Sequence, residues 1–289
     1  MTLDLTDRHT YIGASDAAAI LGLSRWRTPL EVWAEKTQTV PRTEEENIPA
    51  EIGNELEDYV ARKWSQRTGK KVHRVNEAFA HKKFPFIKAH IDRKVEGENS
   101  ILQCKTCSAY KYAEWEGEEM PLDYIIQEYV ELACSGYDRA YIYVLIGNNK
   151  FEERVIERDD KAMNDIIEKL GRFWIVFVAP KVMPQTVTYK DGEILQGIYP
   201  EAKEDSAISL SDEVNAIIES IEGMKRDRDA LEKQIDKEQN GLKLMLKDAD
   251  TGTTGLWKLR WYNVPAAHVE FDKKASRTFR YWPIKQEDK

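Results

Sequence analysis

Apolar residues recur at helical spacing in the first part of the chain. The segment Ser15–Leu21 begins with a residue that favours helix N-termini and continues through three alanines, which predicts a short helix. Thr28-Pro29 predicts the start of a second helix, because proline suits the first helical turn. After a polar loop at 38–50, a third helix is predicted over 51–66 and is closed by Thr68-Gly69.

Beyond Gly69 the apolar spacing shortens to two residues, which is typical of strands, and later returns to helical spacing. The turn sequences Gly97-Glu98-Asn99 and Gly147-Asn148-Asn149 each separate two predicted strands. The predicted order is strands at 71–75, 87–95 and 100–106, a helix at 121–135, strands at 140–146 and 151–156, and a helix at 159–178. This order predicts a mixed α/β core, with a central sheet flanked by helices, rather than a regular series of β-α-β units.

The C-terminal part of the chain has a different pattern. Residues 180–210 carry little periodicity and are predicted to form an extended connector. From Val214 to Met245 the apolar residues follow a heptad, interrupted at Arg228 and Glu238. This heptad predicts a helix over about 211–247 that is roughly 50 Å long.

Two interpretations of this helix stay open. It could pack along the core and brace the last strands, which are predicted over 256–262 and 276–281. It could instead protrude for self-association or for contact with DNA. In both cases we expect a core domain at 1–180 and a C-terminal extension of helix and strands at 181–289, packed on the core.

The composition excludes several classes of protein. No apolar run approaches the roughly 18 residues of a membrane helix, and Met1–Arg8 is polar, so neither a membrane span nor a signal peptide is predicted. Three cysteines in 289 residues favour a reducing cytoplasm over a disulfide scaffold. Cys104 and Cys107 form a C-x-x-C pair, but no second pair or nearby histidine completes a zinc site.

The net charge of −8 argues against a broad basic surface for nucleic acid. It does not argue against a cleft in which a bound cation supplies the positive charge, because acidic metal ligands themselves make the total more negative.

Asp92, Gln103 and Lys105 form the candidate catalytic group. Asp92 ends one predicted strand, and Gln103 and Lys105 share a face of the next, because residues i and i+2 of a strand project to one side. Phosphodiester hydrolysis uses divalent cations with hard oxygen ligands, and a group such as lysine that positions or deprotonates water. The three residues therefore suit a metal-dependent nuclease, although an exposed hairpin could carry them without any function.

Other polar residues occupy positions that suit the same chemistry. Glu57 lies in the middle of the third predicted helix, and Gln127 and Glu131 share one face of a later helix. Ser15, seven residues after Arg8, lies at a helix N-terminus, where an anion binds favourably. Taken singly, these residues also fit a solvated helix face, a helix cap and a surface arginine.

Taken together, seven segments resemble the phage lambda exonuclease family, also called YqaJ-like viral recombinases, within the PD-(D/E)xK nuclease superfamily. In family order they are YIGASDAAAILGLSRWRTPLEVWAEKT, EIGNELEDYV, AHIDRKV, ILQCKT, YIIQEYVELACSGYDRAYIYVL, VIERDDKAM and SRTFR. Each segment alone is unspecific, but in this order they cover residues 8–178 closely and the remainder loosely. The resemblance implies a restriction-endonuclease-like PD-(D/E)xK core.

The resemblance also implies an activity. It is that of a Mg²⁺-dependent exonuclease, with two ions per site and Mn²⁺ as a substitute, that degrades one strand of linear double-stranded DNA from 5′ to 3′. The resulting 3′ single-stranded overhang would pass to a single-strand annealing protein in phage-type recombination. The resemblance further implies a homotrimeric toroid whose channel tracks the duplex, and a phage or prophage protein acting in the bacterial cytoplasm.

The metal ligands that the resemblance implies are Glu57, Asp92, residue 103 and the backbone carbonyl of Cys104. The chain departs from the family at Gln103, where the family has glutamate. A neutral amide removes one negative charge from a site for two dications, and losing about 3 kcal/mol of metal stabilisation slows a reaction roughly 10²-fold. We therefore predict that the chain binds DNA ends and cleaves them slowly or not at all, as a natural or a deliberately inactivated variant.

The remaining roles implied by the resemblance concern water and the DNA end. Lys105 would orient or activate the attacking water, and Gln127 would support both from the neighbouring helix. Arg8 and Ser15 match the pocket that holds the 5′ phosphate of the resected strand.

Two other functions stay open. One is an endonuclease of the same superfamily, although the four-cysteine cluster of a Cas4-like enzyme is missing. The other is a non-catalytic DNA-end binder or recombination scaffold, which Gln103 favours.

Overall fold

The computed structural model describes residues 7–40, 48–117, 119–185, 187–204 and 206–266. The chain divides into two compact units, Met1–Pro200 and Glu201–Lys289. The packing expected of the extension at 181–289 on the core stays a prediction.

A five-stranded mixed sheet forms the centre of the first unit. Its strand order is β2-β5-β6-β7-β8, and within it β6 and β7 are parallel whereas the other neighbours are antiparallel. The strands span Val72–Arg74 (β2), Arg93–Val95 (β5), Ser100–Cys107 (β6), Arg139–Ile146 (β7) and Lys150–Glu157 (β8). The sheet confirms the predicted mixed α/β class, including the hairpin formed by β7 and β8.

Alternation along β7 divides the core between the two faces of this sheet. Tyr141, Tyr143 and Leu145 face a cluster with Val60 and Trp64. The intervening residues, Ala140, Ile142, Val144 and Ile146, belong to a second cluster with Leu132 and Met163. Because successive side chains of a strand point to opposite faces, one strand can supply both layers. Helix α3 (Ile48–Thr68) therefore covers one face, and α4 (Leu122–Ser135) and α5 (Asp160–Phe173) cover the other.

The strand predicted over 87–95 is broken in two, which corrects the prediction. β4 (Ile87–His90) pairs with β1 (Ile12–Gly13) and with β3 (Ala78–Ala80) in a separate three-stranded sheet. β5 belongs to the central sheet. One chain segment serves both sheets, so it bends at Asp92, which lies between the two strands rather than at the end of one.

The N-terminal helices largely follow their predictions. α2 (Pro29–Thr37) begins after Thr28, whose hydroxyl accepts from the Glu31 backbone N–H while the Glu31 carboxylate accepts from the Thr28 N–H. α1 (Ala17–Ile20) follows a 3-10 turn at Ala14–Asp16. Ser15 therefore lies inside this turn and is not the helix cap that its position suggested. α3 begins at Ile48, inside the predicted loop.

The connector predicted at 180–210 contains a short helix, α6 (Gly192–Ile198). In the second unit, α7 spans Glu213–Leu246, close to its predicted bounds, and β9 (Thr251–Thr253) pairs with β10 (Lys258–Arg260). The strand predicted at 276–281 lies outside the described residues. Among the helices of the described residues, none is both long and apolar enough to cross a membrane.

Candidate active site

Asp92 lies at the bend between β4 and β5, where its carboxylate meets the neighbouring strand. Its Oδ2 accepts a hydrogen bond from the backbone N–H of Cys104 at 2.7 Å. Burial raises the pKa of Asp92 to about 6; the Lys105 ammonium opposes this rise and the Glu57 carboxylate adds to it. A buried carboxylate with a raised pKa is stabilised by any additional cation nearby.

Gln103 and Lys105 lie on the face of β6 that is covered by α4, as the strand alternation predicts. The Lys105 ammonium donates to Oε1 of Gln127 at 3.3 Å and lies 5.5 Å from the centroid of the Tyr124 ring. The Gln103 amide satisfies its neighbours when its oxygen accepts from Lys105 Nζ and its nitrogen donates to Glu131 Oε2, both at 3.3 Å. The structure therefore brings three of the sequence-predicted residues together, Gln103, Lys105 and Gln127.

Two buried glutamates of α4, Glu131 and Glu128, complete this network; sequence reasoning had placed Glu131 on the face of Gln127 and had not singled out Glu128. Glu131 accepts from the Gln127 amide at 2.7 Å. Glu128 is fully buried, and neither of its oxygens has a donor among the described residues. Burial and the charge of Glu131 raise the pKa of Glu128 well above its ordinary value, and burial also raises the pKa of Glu131.

Burial thus favours the protonated, uncharged form of both carboxyls. A proton on Glu128 gives that side chain a hydrogen-bond donor of its own. Spacing alone gave a partial signal, since Glu131 lies one turn from Gln127. Glu128 had no such signal, because its burial depends on how α4 packs on the sheet.

Lys105 is held as an ammonium ion. Burial alone would lower the pKa of Lys105, but the Asp92, Glu131 and Glu128 carboxyls outweigh it and the pKa is raised. In this state Lys105 donates hydrogen bonds and cannot accept a proton from water.

Glu57 approaches the site from the opposite face of the sheet. Its Oε1 is 2.5 Å from the guanidinium of Arg93, which also reaches Asp58 and the backbone carbonyl of Asp92. Arg93 is almost fully buried, so this ion pair is screened from solvent. The structure therefore links Glu57 to Asp92 through Arg93 and not through a direct hydrogen bond.

A divalent cation such as Mg²⁺ needs several oxygen ligands, and the residues around Asp92 offer some of them. No three His, Cys, Asp or Glu side chains converge as a metal site in the part of the chain that the structure describes. Two carboxylates, Asp92 and Glu57, are near enough to influence each other, as the pKa of Asp92 shows. With the Cys104 carbonyl and the Gln103 amide they offer the hard oxygens that Mg²⁺ prefers. These oxygens are the donor types that a divalent ion needs, although Glu57 is engaged by Arg93 and Gln103 supplies an amide in place of a carboxylate.

The Cys104 thiol does not belong to this donor set. Burial raises the pKa of Cys104 well above its ordinary value, and the Asp92 carboxylate adds to the rise. The thiol is therefore protonated, and a protonated thiol is a poor metal ligand.

Arg8 and Ser15, the expected phosphate-binding residues, are in direct contact. The Arg8 guanidinium donates to the Ser15 hydroxyl at 2.7 Å, and Ser15 is exposed. Lys36, whose side chain is fully buried, donates to the backbone carbonyl of Arg8 at 2.9 Å and fixes the chain there.

A fully buried aspartate organises the residues around this pocket. Asp16 pairs with Lys36 and Arg27, each at 2.7 Å, and lies 3.9 Å from Arg8. Burial alone would raise the pKa of Asp16, but these three cations outweigh it and lower the pKa to about 2. Arg27 also pairs with Glu35 at 2.6 Å. Three cations therefore gather around Asp16 beside Ser15, and sequence reasoning named only Arg8 among them.

The pocket and the catalytic group are adjacent. The Tyr11 hydroxyl lies 3.5 Å from Nε2 of His90, two residues before Asp92. Burial lowers the pKa of His90, and the charges of Arg8 and Lys88 lower it further. β1 and β4 are paired directly, so this proximity is built into the backbone.

Sequence comparison relates the chain to a protein family and to a similar bacterial protein. The family described as YqaJ-like viral recombinase domain matches residues 5–138. The protein YqaJ of Bacillus subtilis (strain 168), itself described as uncharacterized, is 37% identical over 276 residues, which cover 93% of this chain and 85% of that protein.

Structural comparison finds the same fold in solved exonucleases. The alkaline exonuclease LHK-Exo of Laribacter hongkongensis superposes with a TM-score of 0.53 at 19% identity, over 62% of this chain and 92% of its own. The structure of LHK-Exo in complex with dAMP superposes with a TM-score of 0.54 at 18% identity, over 68% of this chain and 96% of its own. The chain therefore shares the fold of these solved exonucleases, a mixed central sheet flanked by helices.

Proposed function

The chain belongs to the YqaJ-like viral recombinase family, and from this premise we propose that it is a metal-dependent 5′→3′ exonuclease acting on the ends of linear double-stranded DNA. The product would be a duplex with a 3′ single-stranded overhang, ready for a single-strand annealing protein. The protein therefore acts in phage-type DNA recombination in the bacterial cytoplasm.

One observation carries this proposal. Asp92, Gln103, Lys105 and Gln127 form one connected group beside an arginine-serine pocket that suits a terminal phosphate. A buried acidic residue, an ammonium donor and a phosphate pocket in one place suit phosphodiester hydrolysis at a chain end. The packing of a folded core does not by itself require such a group of polar and charged side chains.

The proposed metal is Mg²⁺, with Mn²⁺ as a substitute. Asp92, Glu57, the Cys104 carbonyl and the Gln103 amide would hold it, and when bound it would polarise the phosphoryl oxygen and acidify water. Lys105, as an ammonium, orients the attacking water or donates to a non-bridging phosphate oxygen. Gln127 fixes the ammonium by accepting one of its hydrogen bonds, and is itself fixed by Glu131.

The Arg8–Ser15 pair supports the choice of a 5′ phosphorylated end. A terminal phosphate carries more charge than an internal phosphodiester, and it would replace the Ser15 hydroxyl as acceptor of the Arg8 hydrogen bond, so that both partners are charged. The Tyr11 hydroxyl, close to this pair along the chain, contacts His90, which lies two residues before Asp92. A strand anchored by its 5′ phosphate places the next phosphodiester near the catalytic group, which favours 5′→3′ digestion.

We expect the chain to cleave slowly because of Gln103. The amide is neutral where the family has a carboxylate, and it is engaged with Lys105 and Glu131. A reduced negative charge weakens metal binding, and about 3 kcal/mol of lost stabilisation corresponds to roughly 10²-fold in rate.

The assembly stays a prediction. A homotrimeric ring around the duplex would keep an acidic chain on DNA, since encirclement replaces a large basic surface. The net charge of −8 means that the surface as a whole repels DNA, so such a ring, or a bound cation, would prolong contact with it.

Substrate topology tests the proposal. The Gln103→Glu variant should digest 5′-phosphorylated linear duplex with Mg²⁺ and leave closed circular duplex of the same sequence intact. A 5′-hydroxyl end should be digested more slowly, and Arg8→Ala should remove this preference. Equal digestion of the circle would indicate an endonuclease, and digestion that persists in Gln103→Glu/Asp92→Asn would contradict the assigned site.

A non-catalytic DNA-end binder is the second candidate, and Gln103 is the observation that favours it. In that case the chain should bind 5′-phosphorylated ends more tightly than 5′-hydroxyl ends. Digestion should stay absent even when Gln103 is changed to glutamate.

A further inference from the structure

Helix α7 carries a stripe of apolar residues that the described residues leave exposed. The helix spans Glu213–Leu246 and contains no buried residue. The heptad positions Met224 and Leu231 are each 60% exposed, Ile235 is 54% exposed and Met245 is 80% exposed. Exposed apolar side chains in a continuous row mark a surface for association.

The two charged residues within this stripe indicate what covers it. Arg228 and Glu238 occupy heptad positions between the apolar ones and are exposed. In a parallel pair of α7 helices, Arg228 would face Arg228 and Glu238 would face Glu238, because equal positions meet. Two layers of like charge would oppose that arrangement.

In one register of an antiparallel pair, each of the two charged residues faces a residue of opposite charge. When Arg228 faces Glu238 of a second copy, Ile221 faces Met245, Met224 faces Leu242, and Leu231 faces Ile235. Every remaining layer from Ile221 to Met245 is then apolar on both sides, over about 37 Å of helix. Twofold symmetry repeats each layer, so the two Arg–Glu pairs flank an apolar centre.

We propose that α7 is an antiparallel homodimerisation helix, and that its partner is α7 of a second copy of this chain in the register that pairs Arg228 with Glu238. Each Arg228 now pairs along its own helix with Asp229 at 2.6 Å and Glu232 at 3.6 Å, both at exposed positions. The second copy adds a third carboxylate and covers the apolar stripe.

Such a contact is separate from a ring formed by the first unit. Alone it gives two chains, and joined to a trimeric ring it gives six. In both cases, breaking the α7 pair halves the mass of the particle, so the experiment does not depend on whether the ring exists or whether the chain is an exonuclease.

Charge exchange in the full-length chain tests the register, with particle mass measured by light scattering and sedimentation over a range of concentrations. Arg228→Glu and Glu238→Arg should each halve the mass, with the dissociation constant raised about tenfold or more, since two symmetry-related layers become like-charged. The double variant Arg228→Glu/Glu238→Arg restores opposite charges and should restore the wild-type mass. Arg226→Glu makes the same charge change outside the stripe and should have no effect.

Three results would overturn the proposal. A wild-type mass of one or three chains means that α7 is not paired with a second copy, as when residues 267–289 or another protein cover the stripe. Single variants with the wild-type mass exclude this register. Single variants that dissociate without rescue in the double variant, while circular dichroism shows an intact helix, also exclude it.

Discussion

At the scale of single residues, the charges of neighbouring side chains determine the state of the catalytic group. Three carboxyls, Asp92, Glu128 and Glu131, surround the Lys105 ammonium, and burial raises the pKa of all three. A glutamate at position 103 would add a fourth carboxyl against Glu131. Gln103 instead donates to Glu131, which makes the network stable without a metal ion but less attractive to one.

The sequence could identify these residues only in part. Spacing on one strand placed Gln103 and Lys105 together, and helical spacing placed Gln127 and Glu131 together. Neither spacing could show that Glu128 is buried, or that Glu57 pairs with Arg93, because both depend on packing between elements distant in sequence.

Asp16→Asn tests the ion cluster under the phosphate pocket. The variant removes the nearer of the two carboxylates that pair with the buried Lys36 ammonium, so we expect unfolding to cost about 3 kcal/mol less at pH 7, as for other broken buried pairs. The pKa of Asp16 is depressed from 3.8 to about 2 in the folded state, so its contribution is present above pH 3.8 and lost as the pH falls towards 2. The difference between wild type and variant should therefore shrink below about pH 4.

Urea denaturation at a series of pH values measures this difference. Asp165→Asn removes a carboxylate from an exposed i,i+4 pair and should change stability little at any pH. A difference for Asp16→Asn that stays constant from pH 7 to pH 3 would show that the cluster does not depress the pKa of Asp16.

At the scale of elements, periodicity predicted most helices and the central strands because each buries one face. It predicted 87–95 as one strand, since nothing in the alternation of that segment reveals that its two halves join different sheets. The break matters for function because it turns Asp92 out of strand geometry and against the backbone of β6. The short helix α6 was missed because its seven residues form only about two turns, too few for the spacing of Ile194, Leu195 and Ile198 to establish a period.

Glycines in two helices give opposite predictions for stability. A Cβ on Gly171 in α5 would lie 2.8 Å from the Phe84 ring, so Gly171→Ala should destabilise the protein by about 1–3 kcal/mol. A Cβ on Gly53 in α3 would meet only the Thr106 hydroxyl, at an ordinary 3.5 Å. Gly53→Ala should therefore stabilise the protein by about 0.5–1 kcal/mol through helix propensity.

Unfolding free energies from urea titration show whether each glycine substitution stabilises or destabilises the protein. Both glycines lie in the first compact unit, so the comparison does not mix the stabilities of two units. A stabilising Gly171→Ala would mean that α5 does not pack closely on Phe84.

At the scale of the whole molecule, an acidic chain has to bind an anionic polymer. Three cations, Arg8, Arg27 and Lys36, gather around Asp16 beside Ser15. Under the proposed function this cluster would bind the end of a DNA strand, and a ring-shaped assembly would retain the chain on the duplex. Sequence composition showed the net charge but could not show that these cations meet.

We propose that Asp92 and Lys105 carry the hydrolysis of DNA ends and that Gln103 limits its rate. The most direct measurement is the single-turnover rate of Mg²⁺-dependent digestion of 5′-phosphorylated linear duplex by wild type and by Gln103→Glu. We predict that the variant is roughly 10²-fold faster, because it restores about 3 kcal/mol of charge stabilisation, and that adding Asp92→Asn abolishes the gain. A Gln103→Glu chain no faster than wild type would contradict the claim.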